Sequence, residues 1–184
     1  MAKAKNEGLR VAAKALADLN MPDFDPQAFW VKSKVKFKTP FSIFPGIFST
    51  LDLYQKDIVE QAFKRNGHFP PWVPADVEEQ VPCPHWSKFC VTDEETGITV
   101  SGAMDDCFRK SDTTLIIQDN KLAKITDTHD KLMPLYKAQL NIYADICEMT
   151  GLGKVSQLQL VYHEPVVSLD SDEEFNGLYR GEDY

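Results

Sequence analysis

The sequence predicts an α/β fold, a mixed central sheet flanked by helices, with elements in the order helix, three strands, helix, strand (αβββαβ). Three observations predict it. Apolar residues recur at the helical period over about 47 to 65 and again over 133 to 150. Between those segments, KFCVTD, ITVSGAM and DTTLIIQDNK are strand-length runs separated by turn signals. After the second helix, SQLQLVYHEP places Leu158, Leu160 and Tyr162 at period two and reads as a further strand.

The bounds fit one domain. At 184 residues the chain builds one substantial core and is too short for two domains of ordinary size. A composition of 43% hydrophobic and 26% charged residues is that of a globular protein. No apolar run reaches the length of a membrane span, and MAKAKNEGLR lacks the apolar stretch of a secretory signal. A cytoplasmic location and no membrane partner are therefore expected. The expected organisation is a single domain over 1–165, with an N-terminal helical extension at 1–30 and a core over about 40–165, followed by an acidic tail at 166–184.

In chain order, KAKNEGLRVAAKALADL (residues 3–19) reads as an amphipathic helix and MPDFDPQAFW as a proline-punctuated connection. VKSKVKFKT alternates like a strand and puts Lys32, Lys34, Lys36 and Lys38 on one face. Such a face either tracks phosphates or protects a sheet edge. A Pro/Gly turn leads into the helix at about 47 to 65, with Phe48, Leu51, Ile58, Val59 and Ala62 as its core stripe and Asp52 and Gln55 on the border. A proline-rich link follows, and EETG then joins two strands as a tight hairpin. DDCFRKSD turns the chain into DTTLIIQDNK, which predicts a three-strand antiparallel meander. LAKITDTHDKL is a loop whose His129 and Asp130 serve as caps. The next helix carries Pro134 in its first turn, Leu135, Ile142, Ile146 and Met149 as its apolar stripe, and Gly151 as its C-terminal cap.

The chemistry is concentrated in two adjoining segments. Along LIIQDNK, alternation puts Leu115, Ile117, Asp119 and Lys121 on one face and Ile116, Gln118 and Asn120 on the other. Asp105 precedes that strand, and Asp106 is its alternative, because neighbouring strand residues face opposite sides. Two carboxylates from adjacent strands suit a hard cation such as Mg2+, and an ammonium beside them orients water or stabilises charge on a phosphoryl oxygen. The polar Gln118 and Asn120 predict looser or exposed packing on the reverse face. On the following helix, Gln139 falls inside the apolar stripe and Tyr143 lies one turn further on, so a buried glutamine must find partners.

Taken in order, G-x-x-D (Gly102 to Asp105), an apolar strand ending in D-x-K (Asp119 to Lys121) and Q-x-x-x-Y (Gln139 to Tyr143) resemble the PD-(D/E)XK nuclease superfamily. The nearest branch is RecB-like, which includes the CRISPR-associated RecB-like exonucleases. The resemblance spans about residues 88 to 165. It implies a restriction-endonuclease-like αβββαβ core and a Mg2+ or Mn2+ ion held by Asp105, Asp119 and the backbone carbonyl of Asn120. It also implies that Lys121 assists the attacking water and that Gln139 and Tyr143 brace the site or contact nucleic acid. Asn120 and Leu122 depart from the apolar residue and the threonine frequent at those positions. Relatives carrying an iron-sulfur cluster need cysteines after the Q-x-x-x-Y helix. None lies beyond Cys147, so no cluster is expected. An additional upstream acid or histidine is often present in such proteins, and Asp52 and His68 are the candidates.

The four cysteines, Cys83, Cys90, Cys107 and Cys147, read as reduced thiols, and Cys83, His85 and Cys90 lack a fourth zinc ligand. The net charge of −8 is concentrated in residues 164–184, where seven carboxylates face one arginine. Such a tail is either a disordered or solvated extension, or a mimic that covers the cleft or recruits a basic protein partner. The function expected is metal-dependent hydrolysis of DNA. The rival readings are a catalytically silent nuclease fold that binds nucleic acid or assembles with other subunits, and an acidic protein-interaction module.

Overall fold

The architecture is that of a computed structural model describing residues 8–34, 46–123 and 129–164, without the side chains of Phe48, Asp52, Gln55, Lys56, His129 and Asp130. Lys36, Lys38, the acidic tail 166–184 and the side chains of Asp52, His129 and Asp130 lie outside the described residues. The elements are β1 (Arg10–Ala12), α1 (Ala13–Ala17), α2 (Pro26–Lys34), α3 (Gly46–Asn66), β2 (Val77–Gln80), β3 (Cys90–Thr92), β4 (Thr99–Ser101), β5 (Asp106–Lys110), β6 (Leu115–Leu122), α4 (His129–Met149) and β7 (Val155–His163). The fold is mixed α/β, with two mixed sheets flanked by helices.

The main sheet has the order β2-β5-β6-β7, antiparallel except for the parallel β6–β7 pair that α4 connects. Strand β6 is its centre. Leu115, Ile116 and Ile117 are all fully buried, Leu115 and Ile117 in the cluster formed with α4 and Ile116 in the cluster formed with Val59 of α3. At about 1.5–3 kcal/mol for each such side chain, these three residues fix the strand between two helices. The register is consequential, because a one-residue slip would exchange the two faces.

The smaller sheet has the order β1-β4-β3, with β1 parallel to β4. Several expectations are corrected here. Residues 10–12 form a strand where a helix over 3–19 was expected, and α1 covers only Ala13–Ala17. Pairing with β4 overrides the helix propensity of an alanine-rich segment. Ala13, at the start of α1, packs in the buried cluster under α4. Residues 26–34 are helical where a connection and the start of a lysine strand were expected. The Asp25 Oδ1 accepts from the backbone N–H of Gln27 at 2.9 Å and of Ala28 at 3.0 Å, and Pro26 takes the first helical position. Lys32 and Lys34 therefore end a helix rather than share a strand face.

The expected meander is also rearranged. Asp106–Lys110 is itself a strand, antiparallel to β6, and the β3–β4 hairpin belongs to the smaller sheet. The part of the link expected at 77–80 supplies the edge strand β2. Helix α4 begins at His129, so Pro134 is inside it rather than in its first turn. Its buried stripe runs Leu135, Gln139, Leu140, Tyr143, Ile146 and Cys147, while Met149 is exposed. The helix ends as expected at Gly151 (φ 73°), whose N–H donates to the Glu148 carbonyl while that of Leu152 donates to Cys147, closing a Schellman motif. No helix among the described residues is long and apolar enough to cross a membrane.

Candidate active site

The two faces of β6 carry two different polar sites. On the face toward α4, Asp119 is 4% exposed, and its Oδ1 accepts from the Gln139 Nε2 at 3.1 Å. Its Oδ2 is ion-paired with the Lys121 ammonium. The same Gln139 Nε2 reaches the Tyr143 hydroxyl at 2.8 Å, and that hydroxyl donates to the Ala103 carbonyl at 3.1 Å. Lys121 also stands over the Tyr136 ring, 5.0 Å from its centroid. The helix stripe is thus aimed at the carboxylate, and a chain of hydrogen bonds runs from Asp119 back to the segment leading into β5.

That segment delivers Asp105. Its Oδ2 accepts the backbone N–H of Asn120 at 2.7 Å, which fastens it to β6 beside Asp119. The β5–β6 register pairs Asp106 with Gln118, so one step earlier Asp105 falls opposite Asp119, on the α4 side. Burial raises the Asp119 pKa above the usual carboxylate value; the Lys121 charge opposes this, and Asp105 adds to it. Burial likewise pushes the Tyr143 hydroxyl up to about 12, so it remains a protonated donor. The structure therefore brings together Asp105, Asp119, Asn120, Lys121, Gln139 and Tyr143, the residues singled out in the sequence.

Gly102 makes the arrangement sterically possible. A Cβ there would lie 2.7 Å from the Tyr143 ring and 2.8 Å from Phe89. The glycine of G-x-x-D thus admits the tyrosine whose hydroxyl holds Gln139.

On the opposite face, Asp106 is 1% exposed and faces away from Asp119. Its Oδ1 accepts from the Gln80 Nε2 at 2.8 Å, and its Oδ2 from the Asn120 Nδ2 at 2.9 Å and the Gln118 Nε2 at 3.2 Å. The Asn120 Oδ1 in turn accepts from Gln118 at 2.9 Å and lies 3.3 Å from the His163 Nε2. Gln118 is fully buried, so the expected loose or exposed packing is corrected: three amides surround and satisfy the Asp106 carboxylate, while the Gln118 Oε1 itself is left without a hydrogen-bond partner among the described residues. Sequence reasoning missed Gln80, His163 and the structural role of Asp106. The available signal was Gln118 and Asn120 two apart on one strand, across a hairpin from an acid.

Other candidates are engaged elsewhere. The His68 Nδ1 bonds the adjacent Phe69 carbonyl at 3.0 Å. The Cys83 thiol reaches the Asp105 carbonyl (3.6 Å), Cys90 the Ser87 carbonyl (3.5 Å), and His85 the Ser87 hydroxyl (2.8 Å). Cys107 and Cys147 are buried, and burial pushes both thiols up to about 12. Among the described residues no three His, Cys, Asp or Glu side chains are grouped to hold a metal. No family model, curated protein or solved structure matches the chain.

Proposed function

We propose that the chain is a metal-dependent nuclease of the RecB-like exonuclease type that hydrolyses DNA phosphodiester bonds on a PD-(D/E)XK core. The observation that carries this reading is the convergence of Asp105, Asp119, Lys121 and Gln139 on one face of β6, under α4. The order of elements supports it. With the β3–β4 hairpin set aside as an insertion, α3, β2, β5, β6, α4 and β7 run αβββαβ through the main sheet.

The donor set suits Mg2+ or Mn2+. Two carboxylates and a carbonyl are all-oxygen ligands, and Mg2+ is commonly held by one or two carboxylates with water completing its shell. The buried Gln139 Oε1 has no hydrogen-bond partner among the described residues, which leaves an acceptor for water beside Asp119. Asp105, Asp119 and the Asn120 carbonyl would hold the ion. When bound, the ion supplies positive charge to phosphoryl oxygens and acidifies water. Gln139 fixes one Asp119 oxygen, and Tyr143 fixes Gln139, so the carboxylate does not rotate. The Lys121 ammonium, 20% exposed and held at Asp119, orients the attacking water and donates to the phosphoryl oxygen as charge builds there. Water adds to phosphorus and gives up one proton to solvent, the ester P–O bond opposite breaks, and the leaving oxygen takes one proton back from solvent, so the step is a balanced hydrolysis.

One observation favours the silent fold instead: Lys121 already pairs with Asp119, and no third acidic or histidine side chain joins the two carboxylates among the described residues. Cleavage of end-labelled linear and circular DNA with Mg2+ or Mn2+ separates the readings. Activity lost in both Asp119→Ala and Lys121→Ala supports the nuclease. Metal affinity without cleavage by the folded wild type overturns it in favour of a silent binding or assembly subunit.

A further inference from the structure

A cavity of about 560 Å³ opens beside the candidate site, lined from α3 by Phe63, along β2 by Gln80, then by Val81, and ending at Asp105 and Asp106. Its wall is aromatic. The Phe63 ring stacks on Phe69 with centroids 4.5 Å apart and planes 23° apart, and Phe69 meets the buried Phe108 edge-on at 5.7 Å. Phe63 is nevertheless 43% exposed. A ring anchored to the core through a second ring, yet open on a cavity wall, offers a rigid π surface.

The charge of the lining decides what that surface can take. Glu60, Glu78, Glu79, Asp105 and Asp106 line the cavity against Lys64 alone. Lys64 is already paired with Glu60, and Glu79 with Arg109. A phosphate is repelled from such a lining, whereas a neutral heterocycle is not, and its ring N–H and amino groups meet carboxylate and amide acceptors. On the other side of the strand end the Lys121 ammonium, paired with Asp119, is available to a phosphate.

We propose that this cavity is a nucleobase subsite: the base beside the scissile phosphate stacks on Phe63 while the backbone passes over Asp105, Asp119 and Lys121. The proposal rests on the nuclease reading for the place of the phosphate and on the cavity alone for the base. It makes the substrate single-stranded DNA or an unpaired end, because only an unpaired base can swing out of its stack without breaking a base pair. Phe63 is then a binding residue for an unpaired base, acting through π contact that every base can make.

The test compares wild type, Phe63→Leu and Phe63→Tyr, both changes at a half-exposed position. Fluorescence anisotropy measures binding of oligothymidylate and of the abasic deoxyribose phosphate chain of the same length, with Ca2+ in place of Mg2+ to prevent cleavage. Wild type is expected to favour oligothymidylate. Phe63→Leu is expected to lose about 5- to 100-fold affinity for it, with binding of the abasic chain unchanged, while Phe63→Tyr stays close to wild type. Equal losses on both chains, no loss in Phe63→Leu, or no binding of either chain by wild type overturns the subsite. Base-dependent binding that needs Phe63 without any cleavage in Mg2+ upholds the subsite and removes the nuclease reading alone.

Discussion

The backbone N–H of Asn120 donates to the Asp105 Oδ2 at 2.7 Å, so the residue between Asp119 and Lys121 clamps the other carboxylate of the site through its main chain. A main-chain clamp does not depend on which side chain stands at 120, and it leaves the asparagine side chain free to serve elsewhere. The Asn120 side chain serves the opposite face, donating to Asp106 and accepting from Gln118. Asn120→Leu should therefore separate the two functions. We expect a stability loss of about 1–3 kcal/mol, as Asp106 and Gln118 lose buried partners, read as a shift of the urea midpoint. Cleavage should keep the wild-type dependence on Mg2+ concentration. A sharply weakened Mg2+ dependence in a folded variant would show that the side chain acts on Asp105.

Tyr143 touches neither carboxylate; it acts through Gln139 and the Ala103 carbonyl. Tyr143→Phe keeps the ring against Phe89 and removes only the hydroxyl. Partners that orient a metal ligand are worth about 10–100-fold in metal affinity or activity. The expected result is a loss in that range, seen as a higher Mg2+ requirement in cleavage titrations with the fold unchanged by circular dichroism. An unchanged Mg2+ requirement would make Tyr143 a packing residue only.

Strand β6 and helix α4 were legible because each carries a strong period: Leu115, Ile117, Asp119 and Lys121 alternate, and Leu135, Gln139 and Tyr143 recur every four residues. The site followed, since it is built where those two periods meet. Strand β1 was not legible, because Arg10–Ala12 lies in alanine-rich sequence and becomes a strand only by pairing with Thr99–Ser101. Strand β5 was hidden by its charge. DCFRK reads as a turn, yet Asp106 is buried because Gln80, Gln118 and Asn120 converge on it from two neighbouring strands. Phe63 gave no signal as a cavity wall, because its partner Phe69 lies in a connection whose path no periodicity encodes.

Gly102→Ala tests the steric part of the site. The added methyl would meet the Tyr143 and Phe89 rings at 2.7–2.8 Å, and both rings are buried. Overpacking of this kind costs about 1–3 kcal/mol. Displacing the Tyr143 hydroxyl also frees Gln139, so Gly102→Ala should lower both the melting temperature and the cleavage rate. Gly102→Ala combined with Tyr143→Phe should lose less activity than the product of the two single effects, because both act on Gln139. Independent effects in that double-mutant comparison would break the proposed link.

Asp119 makes stability depend on pH in a direction opposite to that of an ordinary paired carboxylate. Burial raises its pKa above 3.8 in the folded state, and Lys121 offsets this only in part. The folded chain then binds this proton more tightly than the unfolded chain does. Its contribution is fully present below pH 3.8 and is lost as pH rises through the folded pKa. In chelator, urea unfolding of wild type and Asp119→Asn across this window should show the difference moving steadily in favour of the variant as pH rises, then levelling. A cation that binds the ionised carboxylate works against that trend, so Mg2+ at neutral pH should raise the wild-type melting temperature and leave Asp119→Asn unmoved. A difference independent of pH would mean that Asp119 ionises in the fold as it does in the unfolded chain, with Lys121 and the surrounding hydrogen bonds cancelling its burial.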